Sequence, residues 1–557
     1  MPTVLAIIFS FVALVIPGLY AAIALGLPRK MPPTAIWACA WAINGGIGYI
    51  AFWLFFLNRS AGVTFSWVIA GASILLLLRL FQKKNLRNEV LGLDYTIPLG
   101  LMIATSVFYI SILSAPQAGQ RDADSRFLSG TLPPDNIIPM IFADRLYLGE
   151  DPRPILGDWR SSDRPPLQAG LTLIHYPWVS WLFGGFFLHV QYQLLATFAQ
   201  CIWVPAVWVL CRSMRISIKT TAFVLGSCIF SGFFLLNSVY VWPKLLSAAL
   251  ALMSLSLMLA PKTAADSGSN MSSNNIVAAS LAALAMLSHA GVAFFYPAMA
   301  IVALRRSFFG SVKAAACSAV ILVVWMLPWS AYQKYYDPPG NRLLKWHLAG
   351  VTEIDDRTFP DALVDSYAHL SFRQFLENKA ENAKMLVGPE CSPPKFLWPS
   401  REDQFFHLLK TLGILNAGWI VLALLLLGLG YSRLSAETRM GALLLEMASA
   451  TAVIWIIAIF LPGGTSVHAG SYAMVLSLFL GLAILVSWLP AWLKLLMCLF
   501  QLAYFLPVWA FFAKPNGMVL RPHLVAITAG MGLCILLALT WMTRVKESLS
   551  TDAGNPH

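Results

Sequence analysis

The residues best suited to chemistry are carboxylates gathered in one polar stretch between long apolar runs. The stretch 121–167 holds seven aspartates and six arginines, although only 11% of the residues in the chain are charged. Partial burial raises the pKa of a carboxylate, whereas a neighbouring arginine lowers it. Such a segment can therefore hold a general base of adjusted pKa. The candidates for this base are Asp135, Asp124 and Asp122.

Asp135 is preferred because of what surrounds it in the chain. Leu132-Pro133-Pro134 stiffens the approach to it, and the apolar spacing over 137–148 predicts a short helix. Asp135 would stand at or near the start of this helix, where free backbone amides favour an anion. The alternative is that Asp135 only caps the helix. For Asp122 and Asp124 the alternative is a solvated loop charge or a partner for a neighbouring arginine.

A second polar group follows the apolar run that ends near residue 330. It contains Arg342, Lys345 and His347, with Trp346 between the last two. An arginine grips phosphate oxygens with its forked donors and a lysine adds a point charge, so these residues would suit a lipid phosphate. The alternative is that they anchor the chain at the membrane interface.

Three more ionisable residues stand where apolar segments are interrupted, namely Lys244, His289 and His468. An ionisable group at membrane depth is a functional candidate by default. Lys244 follows Trp242-Pro243, and we expect it to be an interfacial anchor or a phosphate contact. Each histidine is either a hydrogen-bonded turn residue or part of a substrate site.

The elements that must position these residues are membrane helices. The chain has 557 residues, of which 58% are hydrophobic, whereas soluble globular proteins are roughly 45–50% apolar. Many apolar runs reach or approach the roughly 20 residues that cross a bilayer. The sequence therefore predicts an all-α polytopic membrane protein with about 14–16 apolar segments.

The orientation of these helices follows from the basic residues. The net charge of +12 lies in short basic clusters that mark the cytoplasmic side, and no motif indicates nucleic-acid binding. The alternation of clusters predicts two large external loops, 115–168 and 331–408. Three apolar segments separate Arg87 from Arg212, and an odd number cannot return the chain to the same side. We therefore expect 166–185 to be an interfacial or re-entrant piece, or 170–211 to hold one span.

These boundaries predict five regions. They are N-terminal helices 1–95, a core 96–330 with its external loop 115–168, the second loop 331–408 with interfacial helices, C-terminal helices 409–543, and a cytoplasmic tail 544–557.

The second loop is predicted to contain a helix. Apolar residues recur at helical spacing over 371–386, which predicts an amphipathic helix on the membrane surface or against the first loop.

The polar stretch resembles the first external loop of GT-C membrane glycosyltransferases, of the protein O-mannosyltransferase and lipid A aminoarabinose or galacturonic acid transferase type. In that family an acidic pair opens a short helix, and about thirty residues later a His-Pro-Pro-Leu element starts the next helix. Here the matching residues are Asp135-Asn136 and Asp163-Arg164-Pro165-Pro166-Leu167. Asn136 stands where the family has its second acid, and Arg164 stands where it has histidine.

The resemblance implies transfer of a sugar from a polyprenyl phosphate to a glycan, lipid or protein acceptor, with inversion at the anomeric carbon. The reaction would take place at the periplasmic face of the bacterial inner membrane. Asp135 would be the base, and Arg342 and Lys345, with Arg164 and Lys244, would hold the departing phosphate. Asn136, Asp163, His289, His347 and His468 complete the expected substrate site. The donor is not a nucleotide sugar, so no metal or other cofactor is required.

Two alternatives from other classes remain open. An O-antigen ligase or polymerase would depend on Arg342 and His347 and not on Asp135. A transporter or flippase for a lipid-linked glycan would carry its charged residues along the spans and would need no large external loops. The sequence contains no HExxH, Gly-x-Ser-x-Gly, Walker or CxxC motif, so neither hydrolase chemistry, ATP-driven transport nor a cysteine metal site is indicated.

Overall fold

The computed structural model describes residues 2–24, 32–84, 92–115, 127, 134–260, 273–387, 428, 434–460, 471–486, 489–507, 509 and 519–544. Within these residues the regular structure is helical, apart from one short antiparallel hairpin between 154 and 160 and an isolated bridge residue at 520. The predicted apolar segment 409–430 lies almost wholly outside the described residues, as does the end of the second loop.

The helices of the first half surround the polar stretch on both sides. They are α1 (Pro2–Ala24), α2 (Pro33–Leu57), α3 (Arg59–Gln82), α4 (Leu93–Ser114), α5 (Ile138–Leu148), α6 (Leu167–Leu173), α7 (Tyr176–Phe183), α8 (Leu188–Gln200), α9 (Trp203–Ser213), α10 (Ile218–Ile229), α11 (Gly232–Val239) and α12 (Lys244–Leu259). The hairpin strands are β1 (Pro154–Leu156) and β2 (Trp159–Arg160).

The second half adds the helices of the second predicted loop and the C-terminal helices. They are α13 (Ser273–Ser288), α14 (Tyr296–Arg305), α15 (Val312–Ala331), α16 (Arg342–Ala349), α17 (Phe359–Ala368), α18 (Phe372–Val387), α19 (Ala436–Ala458), α20 (Tyr472–Leu485), α21 (Ala491–Phe505) and α22 (Pro522–Arg544). The predicted helix over 137–148 is confirmed as α5, and the predicted amphipathic helix is confirmed as α18.

The described helices confirm an all-α polytopic membrane protein. Seven of them are long and apolar enough to cross a membrane, or eight if the bent pair α10–α11 is one span. The candidate spans are fewer than the apolar segments predicted from sequence, because several of those segments form helices of only 10–17 residues. Such segments are interrupted by residues that end a helix, such as Trp242-Pro243 before α12 and His289 after α13.

The segment where the alternation of cytoplasmic and external sides failed in the sequence begins with two short helices. Helices α6 and α7 have 7 and 8 residues, which at 1.5 Å per residue is roughly a third of the ~30 Å hydrocarbon core. The following residues, Leu188–Ser213, form one candidate span. This arrangement agrees with the expectation that one of the two predicted segments does not cross by itself.

Close backbone contact fixes α6 against α2. A Cβ on Gly170 would lie 2.1 Å from the carbonyl oxygen of Gly48, and a Cβ on Gly48 would lie 2.7 Å from the side chain of Leu171. Only glycine permits helices to approach this closely. The contact holds the start of α6 in place, and with it the residues that immediately precede α6.

Helix α18 packs on the end of α19 through two side chains. Lys379 Nζ donates to the carbonyl of Ile459 at 2.6 Å, and Asn382 Nδ2 donates to the carbonyls of Ile456 at 3.1 Å and Ile459 at 2.6 Å. The last carbonyls of a helix lack intrahelical partners, so these bonds complete the end of α19. The end of α19 is therefore a partner of α18 that the sequence did not predict. The sequence offered the membrane surface or the first loop as alternatives.

The first prediction concerns sidedness. We expect Glu150→Cys and Ser371→Cys, which replace exposed residues of the two polar regions, to react with a membrane-impermeant maleimide in intact cells. Lys83→Cys, in a predicted cytoplasmic cluster, should react only after permeabilisation, because basic clusters stay on the cytoplasmic side. Labelling is measured against the unmodified protein. Reaction of only one of the first two positions would separate the two loops by the membrane.

Candidate functional site

The centre of the site is the buried carboxylate of Asp135. The residue lies in a 3-10 turn, Pro134–Ile137, directly before α5. One of its oxygens pairs with Arg164 Nη2, and the other accepts a hydrogen bond of 2.8 Å from Trp242 Nε1. The N-cap of α5 is Ile137, which offers no side-chain acceptor. The carboxylate is therefore committed to tertiary partners, and the alternative of a helix cap is wrong.

Arg164 is presented to Asp135 by the two prolines that follow it. A residue before proline is restricted to extended conformations, and Arg164 has φ −124° and ψ 118°. Its guanidinium lies 4.5 Å from the ring centre of Trp159, which adds a cation–π contact. Its Nε is buried and has no partner among the described residues. Arg164 thus retains one unused donor next to the carboxylate.

The connection between α11 and α12 positions Trp242 and Asn136. Val241 has φ +57°, a sterically unfavourable conformation for a β-branched residue. Its carbonyl accepts a bond of 2.8 Å from Gln168 Nε2, while the carbonyl of Tyr240 accepts one of 3.1 Å from Asn136 Nδ2. These bonds hold the strained backbone and direct the Trp242 indole at Asp135. Asn136 therefore serves the scaffold of the site.

Lys244 lines a small pocket and lies against the Trp242 indole. The residue is buried, and its ammonium sits 4.3 Å from the ring of Trp242 and 5.3 Å from that of Tyr472. Within the described residues its ammonium has no hydrogen-bond acceptor or acidic partner in direct contact. Burial lowers the pKa of this ammonium well below its usual value, and the nearby charge of Asp135 opposes that shift, because a buried ammonium without a paired anion is costly. This arrangement creates a place where an anion would be stabilised.

The pocket beside Lys244 is small: the space between its atoms, part of which is open to solvent, is about 210 Å³. Its polar lining consists of Lys244, Ser247, His289, Ser471 and Tyr472. The hydroxyl of Ser471 is buried without a partner among the described residues, and Nδ1 of His289 accepts a bond of 3.1 Å from the amide of Gly291. Two sequence-predicted residues, Lys244 and His289, are therefore brought together with donors that suit phosphate oxygens.

His347 lies near the same cluster of charges. The pKa of His347 is lowered to about 4. Burial is the main cause, and the positive charges of Arg164 and Lys244 contribute to the same shift. Its ring stacks on Trp346, and its Nδ1 has no partner among the described residues. His347 is consequently a neutral imidazole near pH 7 and does not add a charge to the site.

Arg342 and Lys345 occupy a different environment from the one expected. Arg342 Nη2 donates to Asp158 Oδ2 at 2.5 Å, and Nη1 donates to Asp163 Oδ2 at 3.2 Å. Lys345 is fully buried, and its ammonium bonds the carboxylate of Asp355 and the carbonyls of Asp355 and Arg357, at 2.6 and 3.1 Å. These bonds give both cations a structural role. Their expected role as phosphate ligands stays a prediction.

Asp163 joins the two polar regions. Burial raises the pKa of its carboxyl, and the Arg160 amide and the Arg342 guanidinium partly oppose this effect. Nearby, Asp337 Oδ2 accepts bonds from Ser161 Oγ at 2.7 Å and from the Ser162 amide at 2.9 Å. The segment before α6 and the segment before α16 thus hold each other through buried carboxylates. Asp163 belongs to this contact and does not face the Lys244 pocket.

Three sequence-predicted residues, Asp122, Asp124 and His468, lie outside the described residues. No group of three or more His, Cys, Asp or Glu side chains that could hold a metal occurs among the residues that are described. The site therefore contains Asp135, Arg164, Lys244 and His289 from the prediction, with His347 at its edge.

Sequence reasoning missed the roles of Trp242, Tyr472, Gln168 and Asp337. Trp242-Pro243 interrupts an apolar run just before Lys244, which was the available signal for Trp242. Gln168 is a polar residue within an apolar segment, and its amide bonds both Val241 and the hydroxyl of Tyr192, at 2.8 Å each. Nothing in the sequence around Tyr472 or Asp337 indicates their partners.

Fold and site together define a polytopic helical membrane protein with a small pocket, lined by Lys244 and His289, near one buried carboxylate, Asp135. Comparison of the chain with protein-family models, with curated proteins and with solved structures found no match. The argument for function therefore depends on the site itself.

The second prediction tests the structural role of Arg342. We expect Arg342→Gln to lower the free energy of unfolding by about 3–5 kcal/mol, because it leaves Asp163 buried beside no cation. Urea or thermal unfolding of the purified protein in detergent measures the change. Arg153→Gln is the matched control, since it breaks an exposed pair with Asp151 in the same region and should leave stability unchanged. Equal effects of the two substitutions would contradict the structural role.

Proposed function

We propose that the protein is a GT-C-type glycosyltransferase that moves a sugar from a polyprenyl phosphate to a glycan, lipid or protein acceptor. The reaction takes place at the outer, periplasmic face of the bacterial inner membrane. The observation that carries the proposal is one buried carboxylate, Asp135, held by Arg164 and Trp242 near a pocket whose Lys244 makes no direct ion pair among the described residues. A base and a phosphate site next to each other are what this transfer needs.

Asp135 accepts the proton of the acceptor hydroxyl. The hydroxyl oxygen attacks the anomeric carbon and forms the new glycosidic bond, while the bond from that carbon to the phosphate oxygen breaks. The electron pair of the broken bond leaves with the polyprenyl phosphate. Direct displacement inverts the anomeric carbon. Phosphate is a good leaving group, so a separate general acid is less necessary than in a glycosidase.

Arg164 prepares the base when the donor binds. Its guanidinium pairs with Asp135, so the carboxylate oxygen that faces Arg164 is occupied by this contact. A donor phosphate in the Lys244 pocket offers Arg164 a second anion, and its free Nε can donate to it. Transfer of Arg164 to the phosphate releases Asp135 for the acceptor. Base activation thus follows donor binding.

Lys244 and the hydroxyl of Ser471 hold the phosphate as charge develops on its leaving oxygen. The Ser471 hydroxyl has no partner among the described residues, whereas the Tyr472 hydroxyl already donates its proton to Asn237 Oδ1 at 2.6 Å. A cation in a water-poor pocket stabilises developing negative charge more than the same cation in water.

The placement of charge favours this enzyme over the two alternatives. A ligase or polymerase built on Arg342 would need its guanidinium open to a substrate, and both of its Nη atoms bond Asp158 or Asp163. A flippase needs no contact between large polar regions. Here the two polar regions are joined by an ion pair of 3.2 Å between Arg160 Nη1 and Asp337 Oδ1. These contacts support a rigid site held outside the spans.

The third prediction tests the base. We expect Asp135→Asn to reduce single-turnover sugar transfer at saturating donor by about 10²–10⁴-fold, the usual share of general-base catalysis. Purified protein in detergent is assayed with a polyprenyl-phosphate sugar, and a thermal melt of the same sample corrects for unfolded protein. The melt is needed because the substitution also leaves Arg164 without its anion.

Asp124→Asn and Asp122→Asn are the controls for this measurement, since they remove a carboxylate from the same polar stretch. Both should transfer sugar at close to the rate of the unmodified protein. If Asp135→Asn retains that rate while Asp124→Asn loses it, Asp124 is the base and the assignment of Asp135 is wrong.

The fourth prediction tests the phosphate pocket. We expect Lys244→Gln to weaken donor binding by about 10–100-fold, because it removes one charged hydrogen bond to phosphate. It should not lower thermal stability, since the buried ammonium makes no direct ion pair among the described residues. Equilibrium binding of the donor and a melt provide the two readings. Lys334→Gln, at an exposed lysine near the same interface, is the control and should change neither.

A further inference from the structure

A second pocket lies between α10, α21 and α22. The space within it, part of which is open to solvent, is about 650 Å³. Its walls are apolar and include Phe223 of α10, Leu495 of α21 and Leu539 of α22. None of the residues that line it belongs to the Asp135 site. We refer to it as the basic groove, for the reason that follows.

Three cations stand at one end of this groove. Lys219 is in the first turn of α10, Lys494 is in the first turn of α21, and Arg544 is the last residue of α22. All three belong to clusters that the sequence places on the cytoplasmic side. One carboxylate, Glu437, lies close to this end, where it accepts bonds from the Ser217 amide at 2.7 Å and from Thr220 Oγ1 at 3.0 Å. Positive charge therefore predominates at the rim.

The floor of the groove is set by a close contact at Gly226. A Cβ there would lie 2.9 Å from Cys498 Sγ and 3.2 Å from Leu539 Cδ1. On the far side of this contact, Gln501 Nε2 bonds the carbonyl of Ser227 at 2.7 Å. These contacts fix α10, α21 and α22 together below the rim. The cavity above them is therefore a built feature of the helix packing, with charge at its mouth and hydrocarbon surface along its length.

We infer that the basic groove binds one anionic phospholipid from the cytoplasmic leaflet. Its headgroup phosphate is held by Lys219, Lys494 and Arg544, and an acyl chain lies along Phe223, Leu495 and Leu539. Basic pockets between membrane helices on the cytoplasmic side suit anionic headgroups, and the apolar walls suit a chain rather than a free ion. The inference does not depend on the proposed glycosyl transfer, because it uses no residue of that site.

Native mass spectrometry of the full-length protein in neutral detergent tests this binding. The probes are phosphatidylglycerol and phosphatidylcholine with identical acyl chains, so that only the headgroup charge differs. We expect phosphatidylglycerol to bind at least tenfold more tightly. The double variant Lys494→Gln, Arg544→Gln should weaken its binding by about 30-fold, from about fivefold for each cation near a membrane surface. Phosphatidylcholine binding should not change.

The matched control removes two charges from the same side outside the groove. Arg305→Gln, Arg439→Gln replaces exposed arginines of α14 and α19 and should leave phosphatidylglycerol binding unchanged. Equal loss in both double variants would show that only the general surface charge attracts the lipid, and it would overturn the inference. Equal affinity of the unmodified protein for the two lipids would also overturn it. So would displacement of phosphatidylglycerol by millimolar inorganic phosphate, which would assign the groove to a free anion.

Discussion

The structure depends most on the requirement that a charge removed from water must have a partner. Asp135 and Arg164 meet this requirement for each other, with side chains only 8% and 11% exposed. Their pairing connects the start of α5 to the start of α6, and the hydrogen bond from the Trp242 indole to Asp135 adds the start of α12. The same two contacts that offset the energetic cost of burial therefore assemble the proposed site. Loss of either would leave a buried polar group unsatisfied.

The buried cations fall into two groups with different meanings. Arg342 and Lys345 are paired with carboxylates of the protein, so their charges join the segments that carry Asp158, Asp163 and Asp355. Lys244 is held by two aromatic rings and has no anion in direct contact among the described residues. Proteins keep such an unfavourable arrangement where function requires it. This contrast, rather than the presence of a basic residue, separates binding candidates from structural ones.

The amino-acid sequence predicted those features that depend on local pattern. Apolar periodicity predicted α5 and α18, and the uneven count of segments between Arg87 and Arg212 predicted a piece near α6 and α7 that does not cross. Both are consequences of short-range rules, the 3.6-residue repeat and the thickness of the bilayer. Asp135, Lys244 and His289 could also be chosen from sequence, because a charged or polar residue at a break in an apolar run is costly and therefore rare.

The tertiary structure alone decided what those residues contact. Arg164 and Asp135 are 29 positions apart, Trp242 and Asp135 are 107 apart, and Arg342 and Asp163 are 179 apart. No local pattern encodes a pairing over such distances, since it results from how helices such as α2 and α6 pack. For this reason sequence identified the composition of the site but did not predict the carboxylate partners of Arg342 and Lys345. Composition and periodicity are properties of the chain, whereas the satisfaction of a buried charge is a property of the fold.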